Sequence, residues 1–173
     1  CDYVCAMAYD EHYNLSSGPG STSSKPWYTR NMETLCNYVN PDKIIMGVPL
    51  YSFVCRFDSS GKFATSAKHS QSRTLTNVRN AAERGDIKVG PVWLGDMGQY
   101  YVEFMDGGYL NKIWLEDSRS MAVRLDCVNR LGLAGTACWG YSYVDPSFYS
   151  LFNEVYVNGA EPLEFQPEYP LFE

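Results

Sequence analysis

The sequence is poor in the residues that mark several common classes of protein. Only 14 of its 173 residues are Lys or Arg, against 20 Asp or Glu, and the net charge is −6. No block of basic residues is present, which argues against nucleic acid or an anionic membrane as the main partner, since both are bound by clustered cations. No apolar run is long enough to span a bilayer. The first residue already lies in a strand-like segment, so we expect the natural N-terminus to lie upstream.

The six cysteines lack the spacing of a metal site or of a disulfide framework. There is no Cys-x-x-Cys pair and no His at metal-ligand spacing, and small stapled domains are much denser in cysteine. We therefore expect free thiols, no metal and no cofactor. Four cysteines occur in apolar segments and are predicted to be buried: Cys5, Cys36, Cys127 and Cys138.

Three apolar runs alternate with segments of helical periodicity. The runs are predicted to be buried strands over residues 2–10, 43–51 and 134–144. The helices are predicted over residues 27–39, 118–131 and 145–157. This alternation predicts an α/β fold of parallel βα units, either in an open sheet or in part of an eight-stranded barrel. No Gly-rich phosphate loop follows any strand, which argues against an open sheet that binds a nucleotide.

The segment from about residue 53 to 117 interrupts this alternation. A helix at 75–84 and short strands near 88–93, 99–104 and 111–115 are joined by Gly-rich turns, and residues 58–72 are predicted to be a polar loop. We interpret the segment as a small α+β insertion after the second strand. Residues 1–159 are predicted to form one domain, followed by an extended tail over residues 160–173.

Chemically useful side chains lie where the three predicted strands end. Function gathers at the C-terminal ends of the strands in βα barrels. The candidates there are Met7, Tyr9, Asp10, Tyr51, Trp139 and Tyr141. An indole floor with a phenol and a carboxylate at its rim suits a sugar, which has polar edges and an apolar face. The alternative is that the aromatic rings only pack and that Asp10 caps a loop.

These segments resemble the family-18 glycoside hydrolases. Met7-Ala8-Tyr9-Asp10 resembles their Met-x-Tyr-Asp signature on the sixth barrel strand, and residues 43–51 and 135–139 are similar to the seventh and eighth strands. Residues 9–13 and 113–117 resemble a bacterial branch that includes envelope and spore-associated N-acetylglucosaminidases. The resemblance covers residues 2 to about 157. It implies the C-terminal part of a (β/α)8 TIM barrel.

The resemblance also implies a reaction and a set of roles. The substrate class is β-1,4-linked N-acetylglucosamine polymers, chitin or peptidoglycan, cleaved by substrate-assisted retaining hydrolysis. Tyr9 would donate to the acetamido carbonyl, and Asp10 would bind the sugar beside the catalytic acid. Contact with the substrate would fall to Met7, Tyr51, Trp139 and Tyr141. The family's acidic Asp-x-x-Asp-x-Glu run, which carries the catalytic Glu, is absent from this sequence, so the chain alone is expected to be inactive.

Two other functions stay open at this point. One is a chitinase-like protein that binds carbohydrate without cleaving it. The other is a scaffold domain, which is physically awkward because unpaired strand edges invite association. For the same reason we expect the missing N-terminal part of the barrel, or a second copy of the chain, as a partner. An extracellular or envelope location is implied by the resemblance alone.

Charged residues away from the strand ends receive structural interpretations. Glu116 and Asp117 precede a predicted helix, which favours a capping or dipole role. Arg119 and Arg124 are predicted to lie on its solvated face. His12 is expected to stabilise a loop.

Overall fold

The computed structural model describes residues 1–13 and 18–164, and its strands form two separate sheets. The strands in chain order are β1 (Val4–Met7), β2 (Ile44–Pro49), β3 (Tyr51–Phe57), β4 (Phe63–Ser70), β5 (Ile87–Leu94), β6 (Gln99–Asp106), β7 (Tyr109–Leu115) and β8 (Gly135–Trp139). The α-helices are α1 (Lys25–Cys36), α2 (Gln71–Glu83), α3 (Ser118–Leu131) and α4 (Pro146–Phe152). One sheet is parallel and the other antiparallel, which separates the βα units from the insertion.

The parallel sheet has the order β1-β2-β8 and carries the main hydrophobic core on one face. Alternate residues of β2 point to this face, and Ile44, Met46 and Val48 are fully buried against α1, α3 and α4. Burying one such side chain contributes about 1.5–3 kcal/mol. The predicted α/β fold, with parallel strands joined through helices as in part of a TIM barrel, is confirmed.

The opposite face of the parallel sheet is largely open to solvent. Along β1 the exposure alternates, so that Cys5 and Met7 are exposed whereas Val4 and Ala6 are not. The expectation that Cys5 and Cys138 are buried is therefore wrong, because the helices cover one face of a sheet only three strands wide. Cys127 is buried and Cys36 is half-buried, and all six thiols are free, as the spacing predicted.

The insertion forms a five-stranded antiparallel sheet of order β4-β3-β7-β6-β5, with α2 packed on one face. Its core joins Val78 of α2 to strand residues such as Val102 and Ile113. The prediction of a polar loop over residues 58–72 is wrong, since β4 occupies Phe63–Ser70. This strand is polar and pairs with β3 along its length, and the sequence of the strand alone carries no sign of that partner.

The ends of several elements differ from the prediction in informative ways. Helix α3 spans the predicted residues and ends at Gly132, whose left-handed φ of 64° suits a residue without Cβ. Strand β8 ends at Trp139 and is followed by a short 3-10 turn over Tyr141–Tyr143. It is therefore shorter than the strand predicted over residues 134–144. Pro162–Glu164 also form a 3-10 turn where an extended tail was predicted, and residues 165–173 of that tail lie outside the described residues.

Candidate functional site

The ends of β1, β2 and β8 bring four of the six candidate side chains together. The rings of Tyr9 and Trp139 lie nearly parallel, with an interplanar angle of 14° and centroids 6.5 Å apart. Tyr51 meets Tyr9 edge-on, also at 6.5 Å. Strand pairing explains the arrangement, because Trp139 pairs with Pro49, two residues before Tyr51. The structure therefore forms an aromatic cluster at the strand ends.

A glycine in the central strand allows Tyr9 to reach this position. A Cβ on Gly47 would lie 2.9 Å from the carbonyl oxygen of Ala6 and 3.1 Å from Cε1 of Tyr9. The first contact is with backbone of the neighbouring strand, which cannot easily move away. Glycine at this point of β2 therefore provides the space against which the Tyr9 ring lies.

Asp10 is the acidic member of the cluster, and its carboxylate contacts two other side chains. The Tyr51 hydroxyl donates to its Oδ1, and the Lys68 ammonium lies 3.1 Å from its Oδ2. Asp10 adopts a positive φ of 64°, which is uncommon for a residue other than glycine and turns its side chain at the end of β1. The carboxylate is about one-third exposed and so remains accessible.

Lys68 belongs to this site but was missed by the sequence analysis, which placed it in a polar loop. It lies on β4 opposite Phe53 of β3. Its Nζ is 4.5 Å from the centroid of the Tyr51 ring and 3.4 Å from that residue's hydroxyl. A lone lysine in a polar segment carries no functional signal, so only the pairing of β3 with β4 could have revealed it.

Both phenols of the cluster are hydrogen-bond donors at neutral pH. Burial, together with the hydrogen bond to Asp10, raises the pKa of Tyr51 well above its ordinary range. Burial also raises the pKa of Tyr9, with further contributions from Cys5 and Asp10. Within residues 1–13 and 18–164, no side chain is hydrogen-bonded to the Tyr9 hydroxyl, which is therefore available to a bound molecule.

Met7 and Tyr141 lie at the margin of the cluster. Met7 is 72% exposed on the open face of the parallel sheet, beside Gly47. Tyr141 is 84% exposed in the turn after β8. Tyr143, which the sequence analysis did not select, contacts Tyr51 edge-on with ring centroids 5.6 Å apart.

Behind the strand ends lies a buried polar network centred on Glu116 and Arg124. Arg124 is fully buried, with its Nη2 2.7 Å from Glu116 Oε1, so the prediction that it lies on a solvated face is wrong. Gln99 and Ser120 donate further hydrogen bonds to the same carboxylate, at 2.7 and 2.9 Å. The amphipathic pattern of α3 could not show this, because Gln99 and Ser23, which complete the network, come from distant parts of the chain.

The two acidic residues before α3 have different roles. Asp117 is the N-cap of the helix and forms a capping box with Ser120, which confirms the predicted capping role for this residue. Glu116 is instead the buried partner of Arg124. Burial raises the pKa of Glu116 to about 7, although Arg124 lowers it, and raises the pKa of Asp117 to about 6.

The loop after Asp10 is held by local contacts. Glu11 accepts hydrogen bonds from the backbone and hydroxyl of Ser24 at the start of α1. The His12 ring lies over Gly20, with Nδ1 3.2 Å from the Ser21 carbonyl oxygen, in keeping with a loop-stabilising role. Among residues 1–13 and 18–164, no three His, Cys, Asp or Glu side chains are grouped to hold a metal ion. No helix in the same part of the chain is long and apolar enough to cross a membrane.

The chain is similar to several known chitinases and related enzymes. No protein-family model matches the chain. Human di-N-acetylchitobiase is 23% identical over 168 residues, which cover 85% of this chain and 42% of that protein. The spore cortex-lytic enzyme SleL of Bacillus cereus superposes with a TM-score of 0.77 at 20% identity, over 88% of this chain and 34% of SleL. A chitinase from Chromobacterium violaceum gives 0.72 at 20% identity, over 87% of this chain and 44% of the chitinase.

The structural matches establish the fold alone, because SleL and the chitinase are each only 20% identical in sequence to this chain. Function does not follow from so distant a similarity. The chain spans less than half the length of each of these proteins. It corresponds to the C-terminal portion of their barrel, with the strand ends of the aromatic cluster at the face where barrel enzymes place their chemistry.

Proposed function

Because the homologues and structural neighbours of the chain are family-18 glycoside hydrolases, we propose that the whole protein hydrolyses β-1,4-linked N-acetylglucosamine glycans, chitin or peptidoglycan. The reaction is substrate-assisted and retaining: the acetamido oxygen of the substrate attacks the anomeric carbon, and water later opens the resulting oxazolinium ion. Such an enzyme acts on a wall or matrix polymer, so the proposal includes an extracellular or envelope location. The partner of the chain is the glycan, together with the rest of the barrel.

The near-parallel contact of Tyr9 with Trp139 is the single observation that carries the proposal. Trp139 is 54% exposed, so its indole presents a flat apolar surface at the strand ends. The ring of Tyr9 lies beside the indole, and Asp10 follows Tyr9 in the chain. A sugar ring stacked on the indole would meet one donor and one acceptor at its edge, which is the pattern of a site that binds a polar ring with an apolar face.

Within this site each side chain has a physical task. Tyr9 donates to the acetamido carbonyl and holds it near the anomeric carbon, and the same bond stabilises the charge that develops. Asp10, fixed by Tyr51 and Lys68, accepts from the sugar. Trp139 forms the floor of the subsite. Met7 and Tyr141 line the open margin of the cleft.

The chain alone should not carry out this reaction. None of its 173 residues forms the Asp-x-x-Asp-x-Glu run that supplies the proton to the leaving oxygen in the family. Without that proton the leaving group must depart as an alkoxide, which general acid catalysis normally avoids at a gain of about 10²–10⁴ in rate. We therefore propose that this chain contributes the binding floor and the acetamido donor of a larger active site.

The test is the hydrolysis of chito-oligosaccharides by the protein at its natural length. Tyr9→Phe removes only the donor, and kcat should fall by about 10²–10³ with little change in KM. Tyr38→Phe is the matched control, because Tyr38 is 83% exposed at the end of α1, away from the cluster. Its kinetics should equal those of the wild type.

Three outcomes would contradict the proposal or part of it. Binding of the oligosaccharide without any hydrolysis would make the protein a carbohydrate-binding relative. Wild-type kinetics in Tyr9→Phe would remove the donor role. Clear turnover by the 173-residue chain, abolished by Tyr9→Phe, would refute the need for an acid outside it.

A further inference from the structure

We propose that the buried network around Glu116 and Arg124 positions Tyr9 and Tyr51 for the reaction, acting through the hydroxyls of Ser23 and Ser52. The inference rests on the proposed glycosidase function and adds a set of positioning residues that contact no substrate. Three lines of contact support it: two end next to a residue of the aromatic cluster, and the third joins the insertion to the βα part of the chain.

The first line runs from Arg124 to Tyr9. The Nη2 of Arg124 donates to the carbonyl oxygen of Ser23. The hydroxyl of the same serine donates to the carbonyl oxygen of Ala8 at 2.7 Å. Ala8 directly precedes Tyr9, and Ser23 is fully buried. The backbone from which the Tyr9 side chain projects is therefore hydrogen-bonded to a side chain that the guanidinium holds in place.

The second line runs from Glu116 to Tyr51. The backbone N–H of Glu116 donates to the Ser52 hydroxyl at 2.8 Å, and Ser52 directly follows Tyr51. Both residues are fully buried, so water cannot replace the bond. The Glu116 side chain in turn contacts Arg124 at 2.7 Å, which connects this line to the first.

The third line connects the insertion to the βα part of the chain. Gln99 on β6 donates to Glu116, and the hydroxyl of Ser21 donates to Oε1 of Gln99 at 2.6 Å. The insertion sheet is thus joined to the loop that precedes α1. The insertion sheet also carries Lys68. Its contact with Asp10, which follows β1, therefore depends on how the insertion sheet is placed against the parallel sheet.

A merely stabilising role explains this network poorly. Burying two charges is expensive, and well-packed hydrophobic residues often stabilise a fold equally well or better. What a network of directional hydrogen bonds adds is a defined geometry. Both carboxylate oxygens of Glu116 accept hydrogen bonds, and among the polar side-chain atoms of Glu116 and Arg124 the Nε of Arg124 is the one without a partner in the described part of the chain. In a site where a displacement of about 1 Å can reduce the rate by about 10²-fold, such geometry has functional value.

The experiment compares three variants of the natural-length protein that each remove one buried hydroxyl. Ser23→Ala and Ser52→Ala cut the two links to the cluster. Thr74→Val is the control, because the Thr74 hydroxyl is bonded to the Ser70 carbonyl oxygen in α2 and touches neither line. Ser23→Ala and Ser52→Ala should lower kcat by about 10- to 100-fold at similar KM. Thr74→Val should keep wild-type kinetics, even if it lowers the thermal midpoint of unfolding as much as the other two variants do. Ser52→Thr, which restores a hydroxyl, should recover most of the loss.

A second readout does not depend on activity. The indole of Trp139, whose ring lies nearly parallel to that of Tyr9, should shift the NMR signals of the Tyr9 ring protons. Ser23→Ala should move these signals toward unstacked values, whereas Thr74→Val should leave them in place. Unchanged Tyr9 signals and a kcat loss no larger than that of the control would overturn the positioning role. If the wild-type protein hydrolyses no N-acetylglucosamine oligosaccharide, the proposed function fails, and the Tyr9 signals alone then confirm or refute the structural part of the inference.

Discussion

Replacing Arg124 with Met should destabilise the protein strongly and in a pH-dependent way. The side chain is fully buried, and its guanidinium donates to Glu116, to the Ser23 carbonyl and, at 3.0 Å, to the Ser120 carbonyl. Removing one partner of such a pair leaves a buried charge without compensation, for which a loss of about 3–5 kcal/mol in the free energy of unfolding is typical. We expect this loss at pH 8.

The sign of the pH dependence follows from Glu116. Its pKa in the folded protein is raised from the usual 4.5 to about 7, so between these values the folded state binds more protons than the unfolded state. Stability from this group is therefore present at low pH and is lost as pH rises through that range. Without Arg124 the folded-state pKa rises further, and each added pKa unit corresponds to about 1.4 kcal/mol. The loss caused by Arg124→Met should be at least about 1 kcal/mol smaller at pH 5 than at pH 8.

Urea unfolding at the two pH values measures both quantities. Arg130→Met is the matched control on the same helix, because Arg130 is half-exposed and lies 3.6 Å from Glu33 in a surface ion pair, worth about 0–1 kcal/mol. In a Glu116→Gln background, Arg124→Met should cause nearly the same loss at both pH values, because the Glu116 carboxyl no longer titrates and the buried Asp117 is present in both proteins being compared. A loss below about 1 kcal/mol at pH 8, or an equal loss at both values, would refute the reasoning.

Three further changes test individual features of the fold. Asp117→Ala removes the N-cap of α3 and should cost about 1 kcal/mol in urea unfolding; an unchanged midpoint would mean that the cap is dispensable. Gly132→Ala places a Cβ at a φ of 64°, where no neighbour lies within 4 Å, so backbone strain alone should cost about 1–2 kcal/mol, and a neutral result would place the end of the helix elsewhere. Mass spectrometry of the folded 173-residue chain after treatment with a thiol reagent should find exposed Cys5 modified, and buried Cys55 should be modified only after unfolding; equal rates would contradict the open face of the parallel sheet.

Local patterns were sufficient to predict the βα units and much of the insertion. Helix α3 was predicted at its observed ends because apolar spacing, a polar start and Gly132 all act within a few residues. The three parallel strands were predicted as compact apolar runs, and the residues at their ends were selected because barrel chemistry gathers there. The ring contact between Tyr9 and Trp139 follows from the same rule, since parallel strands end at one edge of the sheet.

Tertiary structure alone decided which charges are buried and which strands pair. Lys68 reaches Asp10 only because the polar strand β4 adds to the edge of the insertion sheet, and the hydrogen bonds that hold it there do not depend on its sequence. Arg124 lies within an ordinary amphipathic pattern, and its burial depends on Glu116 just before the helix and on Gln99 and Ser23, which come from two distant segments. The periodicity of apolar residues indicates on which side of its own helix or strand a residue lies. The partner that faces it across the core is chosen by packing, and no local pattern contains that choice.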